Sequence, residues 1–292
     1  ALAGVPKYVA DRMLTPDLYA VNTVQPPYQP SGNAPVSGAS GTQLLYASPG
    51  KASTLWPVRS PTIGDLLTKA GVNWAWYAGA WADALANPGH VYNNSVPNFQ
   101  PHHQPFNYYQ NFDPVANAAN RAAHLLDGGL GGAKFIAGID AGKLPPVTFY
   151  KPQGNLNEHP GYANVTDGDA HIAEIISHLQ KSPQWNNMAV IVTYDENGGF
   201  WDHATPPQGD RWGPGTRIPA IVVSPFAKAG TVDHSPYDTS SIARLILKRF
   251  AGTAANPVYP GDLLPGLATR DNALRANGYR RPGDFTDALN LQ

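Results

Sequence analysis

The stretch MAVIVTYDENGGFWDH, residues 188–203, joins an apolar run to a cluster of charged side chains. The run is rich in valine and isoleucine, which is typical of a buried strand in a parallel sheet. The strand would end at Asp195 and Glu196, and two glycines follow, which allow a sharp turn and leave space for a ligand. Ligands of parallel sheets bind beyond the carboxyl ends of the strands, so the stretch predicts a fold class and one edge of a site.

The rest of the chain alternates helical patterns with short apolar runs. A helix with Ser60 as its cap and Pro61 in its first turn precedes a strand at 72–78. The further predicted helices are 116–127, 134–143, 169–181 and 239–250, and the further predicted strands are 146–151 and 218–224. This alternation predicts an α/β fold with a largely parallel sheet flanked by helices.

The domain organisation is predicted to be simple. Residues 14–60 are dense in proline, glycine, serine and asparagine and have no helical or strand periodicity, so we expect an extended segment laid over a surface. The chain has no internal repeat and no break in composition. We therefore predict a single domain over residues 1–292.

Composition excludes several classes of protein. With 42% hydrophobic residues in a chain of 292, a sizeable core can form, and a formal net charge of −1 gives no field that would attract nucleic acid. The absence of cysteine excludes disulfides and thiolate sites, and no apolar run reaches the ~20 residues of a membrane span. The motifs of serine-triad hydrolases and of nucleotide-binding loops are also absent.

The carboxylates at the end of the opening stretch have two interpretations. The chain contains only three glutamates, so a Glu beside an Asp here is not a by-product of an acidic composition. Neighbouring carboxylates repel each other, and a bound cation relieves the repulsion. Alternatively, Asp195 caps the turn and Glu196 faces solvent. The following Asp202 and His203 could orient a ligand, or His203 could bond to the backbone of a proline-rich turn.

Two further clusters contain histidine. In NFQPHHQPFNYY, residues 98–109, prolines flank His102 and His103, and such a fixed loop can bind a phosphate or a metal ion. In KPQGNLNEHPGY, residues 151–162, Glu158 and His159 follow the predicted strand 146–151. By contrast, His171 and His178 lie beside the apolar stripe of helix 169–181, which favours a structural role.

These motifs resemble, in the same order along the chain, those of the bacterial phosphoesterase family of AcpA-type acid phosphatases and phospholipases C. The resemblance rests on VTYDENGGFWDH, NEHP, HHQPF and RIPAIVVSPFAKAGTVDHSPYDTSSI. The stretches LTPDLYAVNTVQPPYQPSGN and LPGLATRDNAL are more similar to the acid phosphatase branch. The resemblance implies an alkaline-phosphatase-like α/β fold and metal-dependent hydrolysis of phosphate monoesters through a phosphoenzyme.

The resemblance also implies roles for individual residues. Asp195 and Glu196 correspond to carboxylates that bind one divalent metal ion, whose identity the sequence does not define. His102 and His103 correspond to the pair of histidines that contact the phosphoryl group or the leaving group of a small phosphate ester. His159 corresponds to the catalytic-pocket histidine of the NEHP segment. The remaining candidates are expected beside these groups, and they are His203, Asp202 and Glu158.

The chain departs from the family at its beginning. The family's ENxxFD-like motif, which supplies further metal ligands, and its Ser or Thr nucleophile have no match here, and the first residue is Ala1 rather than Met. We therefore expect a C-terminal portion whose site is completed by a preceding segment or by a separate N-terminal chain or fragment. Alone, it is expected to bind metal weakly and to hydrolyse little substrate. The resemblance implies a periplasmic or secreted bacterial protein.

Two other functions stay open. A phospholipase C or another phosphodiesterase of the same family would share the metal chemistry and differ in the pocket for the leaving group. A non-catalytic assembly or binding module would keep a partial site and would bind a partner through aromatic side chains, namely Trp74, Trp76, Trp81, Tyr108 and Tyr109.

Overall fold

The structure is a computed structural model that describes residues 23–198, 200–209, 213–250 and 267–290. The described chain divides into two units. The first unit consists of residues 23–60 and 74–182, and the second consists of residues 61–73 and the described residues from 183 onward. The prediction of a single domain over the whole chain stays a prediction.

The first unit is built on a parallel sheet of three strands. These are β1 (Trp74–Gly79), β2 (Leu125–Gly129) and β3 (Val147–Lys151), in the order β2-β1-β3. Trp76 of the central strand lies opposite Leu125 on one side and Phe149 on the other. All residues of β1 except Trp76 are buried, as expected for a strand that is covered on both faces.

Four helices accompany this sheet, namely α2 (Trp81–Ala86), α3 (Ala118–His124), α4 (Ala133–Asp140) and α5 (Val165–Lys181). The Phe135 ring of α4 stacks on Tyr150 of β3 with ring centroids 4.3 Å apart. The Tyr150 hydroxyl lies 2.7 Å from Nε2 of the buried His171 on α5. The structural role predicted for His171 is therefore confirmed.

The irregular segment 23–60 contributes to the core of the first unit. It contains one short 3-10 helix, Gly41–Leu45, has an internal bridge between Tyr28 and Tyr46, and is joined to another segment by the bridge between Val58 and Tyr109. Tyr28 is only 1% exposed. The part around Tyr28 is therefore buried, whereas most of residues 33–60 are exposed or half-buried, and the expectation that the whole segment lies over a surface stays a prediction. Residues 14–22 lie outside the described residues.

Polar side chains hold the irregular segment in place. Arg121 of α3 donates from Nη2 to the Gln29 carbonyl oxygen at 2.8 Å and from Nη1 to Asn107 Oδ1 at 2.7 Å. The buried Asn107 in turn donates from Nδ2 to the Tyr28 carbonyl oxygen at 2.9 Å. These side chains satisfy backbone carbonyl groups that no sheet ladder would satisfy.

The second unit contains an antiparallel strand pair and three helices. Strand β4 (Val190–Thr193) pairs with β5 (Ala220–Val223), and Val190 lies opposite Val223. The helices are α1 (Ile63–Lys69), α6 (Ser240–Phe250) and α7 (Leu267–Ala276). Among the described residues, no helix combines the length and the apolar character needed to cross a bilayer.

Three local predictions are wrong. The predicted parallel arrangement holds for β1, β2 and β3, but β4 and β5 are antiparallel. The predicted helix 116–127 ends at His124, and the chain continues directly as β2, because Leu125 and its neighbours pair with β1. Helix α1 is capped by Thr62 rather than Ser60, since Thr62 and Asp65 form a reciprocal capping box.

The aromatic residues that were considered for partner binding do not form a free surface. Trp74 and Trp81 are 1% and 6% exposed. Trp74 stacks on His124 with ring centroids 4.3 Å apart. These tryptophans belong to the core of the first unit, which removes their support for the non-catalytic binding module.

Candidate active site

The histidine clusters meet beyond the carboxyl ends of β1 and β3. Gly79 ends β1 so close to the segment after β3 that a Cβ atom on it would lie 2.4 Å from the backbone nitrogen of Gln153. Nδ1 of His103 lies 2.9 Å from the carbonyl oxygen of Pro152 in that segment. The indole Nε1 of Trp76 donates to the His103 carbonyl oxygen at 2.7 Å. The histidines therefore lie at the sheet edge where ligands of such folds bind.

His102 and His103 differ sharply in exposure. They lie in a 3-10 turn, Pro101–His103, that places their rings at 89° with centroids 5.0 Å apart. His103 is 2% exposed, whereas His102 is exposed. Burial, reinforced by the nearby Lys151, holds the pKa of His103 well below its ordinary value. His103 is consequently neutral at neutral pH, and His102 is the member of the pair that a ligand can reach.

The NEHP segment lies next to His103. Asn157 Nδ2 is 3.3 Å from His103 Nε2, and it donates to the Tyr162 hydroxyl at 3.0 Å. The His159 ring stacks on Tyr162 with centroids 4.5 Å apart and planes at 12°. His159 is exposed. The structure thus brings His102, His103 and His159 together in the first unit, and their catalytic roles stay predictions.

Glu158 points into the protein rather than toward solvent. Its backbone has a φ of 63°, and the residue is 6% exposed. A Cβ atom on Gly168 of α5 would lie 2.1 Å from Glu158 Cγ, so the glycine makes room for this side chain. Glu158 therefore packs against α5, and its expected place beside the reacting groups stays a prediction.

The predicted metal-binding carboxylates belong to the second unit. Asp195 and Glu196 follow β4 after one intervening residue, Tyr194, and both are exposed. Gly198, with a φ of 63°, donates its N–H to Glu196 Oε2 at 2.8 Å. Two adjacent carboxylates suit a hard divalent ion such as Ca²⁺ or Mg²⁺. Within the described residues, no three His, Asp or Glu side chains converge to hold a metal, so these two fit part of a ligand set.

Asp202 pairs with an arginine rather than with His203. Arg217 donates from Nε to Asp202 Oδ2 at 2.7 Å and from Nη2 to Oδ1 at 2.9 Å. His203 is exposed, and its Nδ1 is 3.7 Å from Asp202 Oδ1. Hydrogen bonds from Arg217, and from the Ala204 N–H, hold the pKa of Asp202 well below its ordinary value. The sequence interpretation considered Asp202 together with His203 and missed this arginine.

The Asp202–Arg217 pair predicts a pH-dependent contribution to stability. Because the pKa of Asp202 is lower in the folded state, the pair stabilises the fold above the ordinary Asp pKa of 3.8, and the stabilisation is lost as the pH falls toward the folded-state pKa. Arg217→Ala should lower the unfolding temperature at neutral pH, by an amount that shrinks below about pH 4.

Thermal unfolding followed by circular dichroism across this pH range would measure the difference. Arg280→Ala is the matched control, because Arg280 is exposed and belongs to the same unit. A deficit of Arg217→Ala that stays constant with pH would contradict the linkage.

A separate cleft of about 330 Å³ lies at the carboxyl ends of β1 and β2. Its lining includes Asp127 and Lys134, which form an ion pair at 2.8 Å. None of the predicted site residues lies in this cleft. The histidine cluster instead lies beside the segment that follows β3, where His103 contacts Pro152.

The comparisons with known proteins give the family to which the chain belongs. Residues 22–251 match the model of the phosphoesterase family, so the chain belongs to the phosphoesterase family. It is 31% identical over 218 residues to phospholipase C B of Mycobacterium tuberculosis and 29% identical over 223 residues to the non-hemolytic phospholipase C of Burkholderia pseudomallei. It is 35% identical over 149 residues to the non-specific phospholipase C6 of Arabidopsis thaliana.

These similarities cover 65%, 65% and 40% of this chain. The chain spans only 39%, 32% and 28% of the length of the three relatives. All three relatives are named phospholipases C, so they favour the phospholipase branch over the acid phosphatase branch that the terminal stretches resemble.

Proposed function

We propose that this chain contributes part of the active site of a metal-dependent phospholipase C that hydrolyses the phosphodiester bond of a phospholipid. The observation that carries the proposal is the meeting of His102, His103 and His159 at the carboxyl edge of the parallel sheet, in a chain of the phosphoesterase family. The names of the relatives support the phosphodiester substrate. The whole protein would have the alkaline-phosphatase-like fold and be periplasmic or secreted.

The exposed His102 is suited to act on the leaving group. When a phosphodiester is cleaved on the glycerol side, the P–O bond breaks and the leaving alkoxide needs a proton. A protonated imidazole can supply it, and such general acid catalysis contributes about 10²–10⁴-fold. His103 is neutral and enclosed, so it is suited to position its neighbours rather than to deliver charge. The attacking nucleophile has no counterpart among the motifs of this chain.

Asp195 and Glu196 would hold the divalent ion. Their carboxylate oxygens follow β4 at its carboxyl end, and the turn around Gly198 fixes one of the Glu196 oxygens. When bound, such an ion polarises the phosphoryl oxygens and neutralises developing charge. Because two carboxylates are fewer ligands than the ion requires, the chain alone would bind it weakly.

The proposal is tested with the complete gene product that contains this sequence. Hydrolysis of phosphatidylcholine and of p-nitrophenyl phosphate would be compared with Ca²⁺, Mg²⁺, Mn²⁺, Fe²⁺ and Zn²⁺ added separately. We expect metal-dependent release of diacylglycerol, and slower turnover of the monoester. A strong preference for the monoester would instead support the acid phosphatase candidate, which the stretches at both ends of the chain resemble.

The His102→Ala variant tests the assigned chemistry. Its rate should fall by about 10²–10⁴-fold, because the proton donor is lost. His234→Ala is the matched control, since His234 is also exposed but belongs to the second unit. Normal activity of His102→Ala, or the absence of hydrolysis of either substrate with every metal, would overturn the proposal.

A further inference from the structure

We propose that Asn157 is a positioning residue that fixes His103 in one neutral tautomer, with the proton on Nδ1, and couples it to the backbone of His159. This inference rests on the proposed function only for its effect on catalysis. The tautomer itself is a property of the folded chain, and it follows from three hydrogen bonds.

The orientation of the Asn157 amide is fixed by the backbone. The His159 N–H lies 3.0 Å from one amide atom of Asn157, and because a backbone N–H can only donate, that atom is the oxygen Oδ1. The amide nitrogen Nδ2 therefore faces the other way. It lies 3.3 Å from His103 Nε2 and donates to the Tyr162 hydroxyl at 3.0 Å.

The protonation of His103 is fixed from both sides. Its Nδ1 lies 2.9 Å from the Pro152 carbonyl oxygen, and because a carbonyl can only accept, Nδ1 must carry the proton. The ring nitrogen Nε2 faces the amide donor of Asn157, so it must offer its lone pair. A second proton on Nε2 would place two donors against each other.

The surroundings of His103 also disfavour a second proton on its ring. The residue is 2% exposed, and the titratable groups near it are His102 on the same turn, Lys151 at the end of β3, and His159. Each of these can carry positive charge, so each disfavours a second proton on His103. The single neutral tautomer therefore has both geometric and electrostatic causes.

This arrangement gives His103 a positioning role and excludes proton donation from its Nε2. His103 cannot deliver a proton from Nε2, because that atom accepts from Asn157. Asn157 contacts His103 with its nitrogen and the His159 backbone with its oxygen, so one side chain sets the spacing between two loops that approach from different strands. A small displacement of groups in a site of this kind can cost up to about 100-fold in rate.

Nitrogen-15 NMR of the histidine rings tests the tautomer directly in the purified chain. At neutral pH we expect His103 to have a protonated Nδ1 and an unprotonated Nε2. A His103 ring with its proton on Nε2, or with protons on both nitrogens, would overturn the inference. This measurement needs no variant and no activity.

Asn157→Asp reverses the interaction, because it places a carboxylate oxygen where the amide donor was. His103 should then hold a proton on both nitrogens at neutral pH, with its titration midpoint raised. Asn155→Asp is the matched control: it adds the same charge two residues away, where the Asn155 oxygen already accepts from Gln153 Nε2. Equal midpoints in Asn157→Asp and Asn155→Asp would contradict a direct contact.

The effect on catalysis is measured separately in the complete gene product. Asn157→Leu should lower kcat for phosphatidylcholine up to about 100-fold with little change in KM, because groups are displaced while substrate contacts remain. If NMR shows the expected His103 tautomer but the complete gene product has no activity, the proposed function is wrong and the inference on Asn157 stands. If the gene product is active but His103 has the other tautomer, the inference on Asn157 is wrong and the proposed function stands.

Discussion

Replacing Asp271 with alanine should lower the free energy of unfolding of the second unit by about 3–5 kcal/mol. The side chains of Asp271 on α7 and Arg244 on α6 are each 2% exposed and form a bidentate salt bridge. Arg244 donates from Nη2 to Asp271 Oδ1 at 2.6 Å and from Nη1 to Oδ2 at 3.1 Å. Removing the carboxylate leaves a buried guanidinium without its counter-charge. Urea denaturation followed by circular dichroism would measure the loss.

Two comparisons make this prediction specific to burial. Lys248 and Asp284 form a salt bridge at 2.8 Å, and about half of the lysine side chain is exposed to solvent. Lys248→Ala should therefore lower the free energy of unfolding by only about 0–1 kcal/mol. The double variant Arg244→Met with Asp271→Leu should recover much of the loss, because no charge is then buried. A cost for Asp271→Ala as small as that for Lys248→Ala would show that the pair contributes little.

Gly154→Ala should lower the free energy of unfolding of the first unit by about 1–3 kcal/mol and disturb the histidine site. A Cβ atom on Gly154 would lie 2.0 Å from the carbonyl oxygen of Asn98, a backbone atom that cannot rotate away. Gly154 begins the turn that leads to Asn157, so relief of the clash must move that turn. Thermal unfolding and the ring signals of His103 would report the two effects.

Gly89→Ala is the control for this substitution. Gly89 is exposed in a 3-10 turn, and a Cβ atom on it would meet no other atom within 4 Å. Its change in stability should stay within about 0.5 kcal/mol. Equal stability of the Gly154 and Gly89 variants would mean that the backbone near Asn98 yields more easily than its burial suggests.

The sequence predicted the elements whose pattern is local. The strand predicted at 146–151 is present as β3, and the helix predicted at 239–250 is present as α6, because a β-branched run and a helical stripe are each recognisable within a few residues. The helix predicted from residue 169 begins at Val165. Its cap is Asn164, which accepts from the Asp167 N–H, and this cap was visible in the sequence but was not used.

Elements defined by a distant partner could not be predicted. Strand β2 consists of LLDGG, whose leucines continue the apolar pattern of the preceding helix and whose glycines suit a turn. Only its pairing with β1 makes it a strand. The direction of β4 relative to β5 is also non-local, since a valine-rich run is compatible with either kind of pairing.

The sequence indicated candidate residues for the site but not their protonation states, and the roles of these residues stay predictions. Predicted strand ends located the carboxylates Asp195 and Glu196 and the residue His159, because ligands of such sheets bind beyond those ends. The pair His102 and His103 was recognised instead by the prolines that flank it. The state of His103 depends on Pro152, 49 residues away, and the partner of Asp202 is Arg217, 15 residues away. No local pattern contains these contacts, so neither the buried neutral imidazole nor the arginine pair could be inferred from the motifs.

The attachment of the irregular segment by Arg121 and Asn107 determines where this chain could be shortened. Burial lowers the pKa of the Arg121 guanidinium to about 10, so the group keeps its charge at neutral pH and needs the Gln29 carbonyl oxygen as an acceptor. A fragment trimmed to begin at β1 would lose that oxygen and the Tyr28 ring together. The irregular segment 23–60, whose composition is that of a linker, is therefore needed to keep the first unit folded.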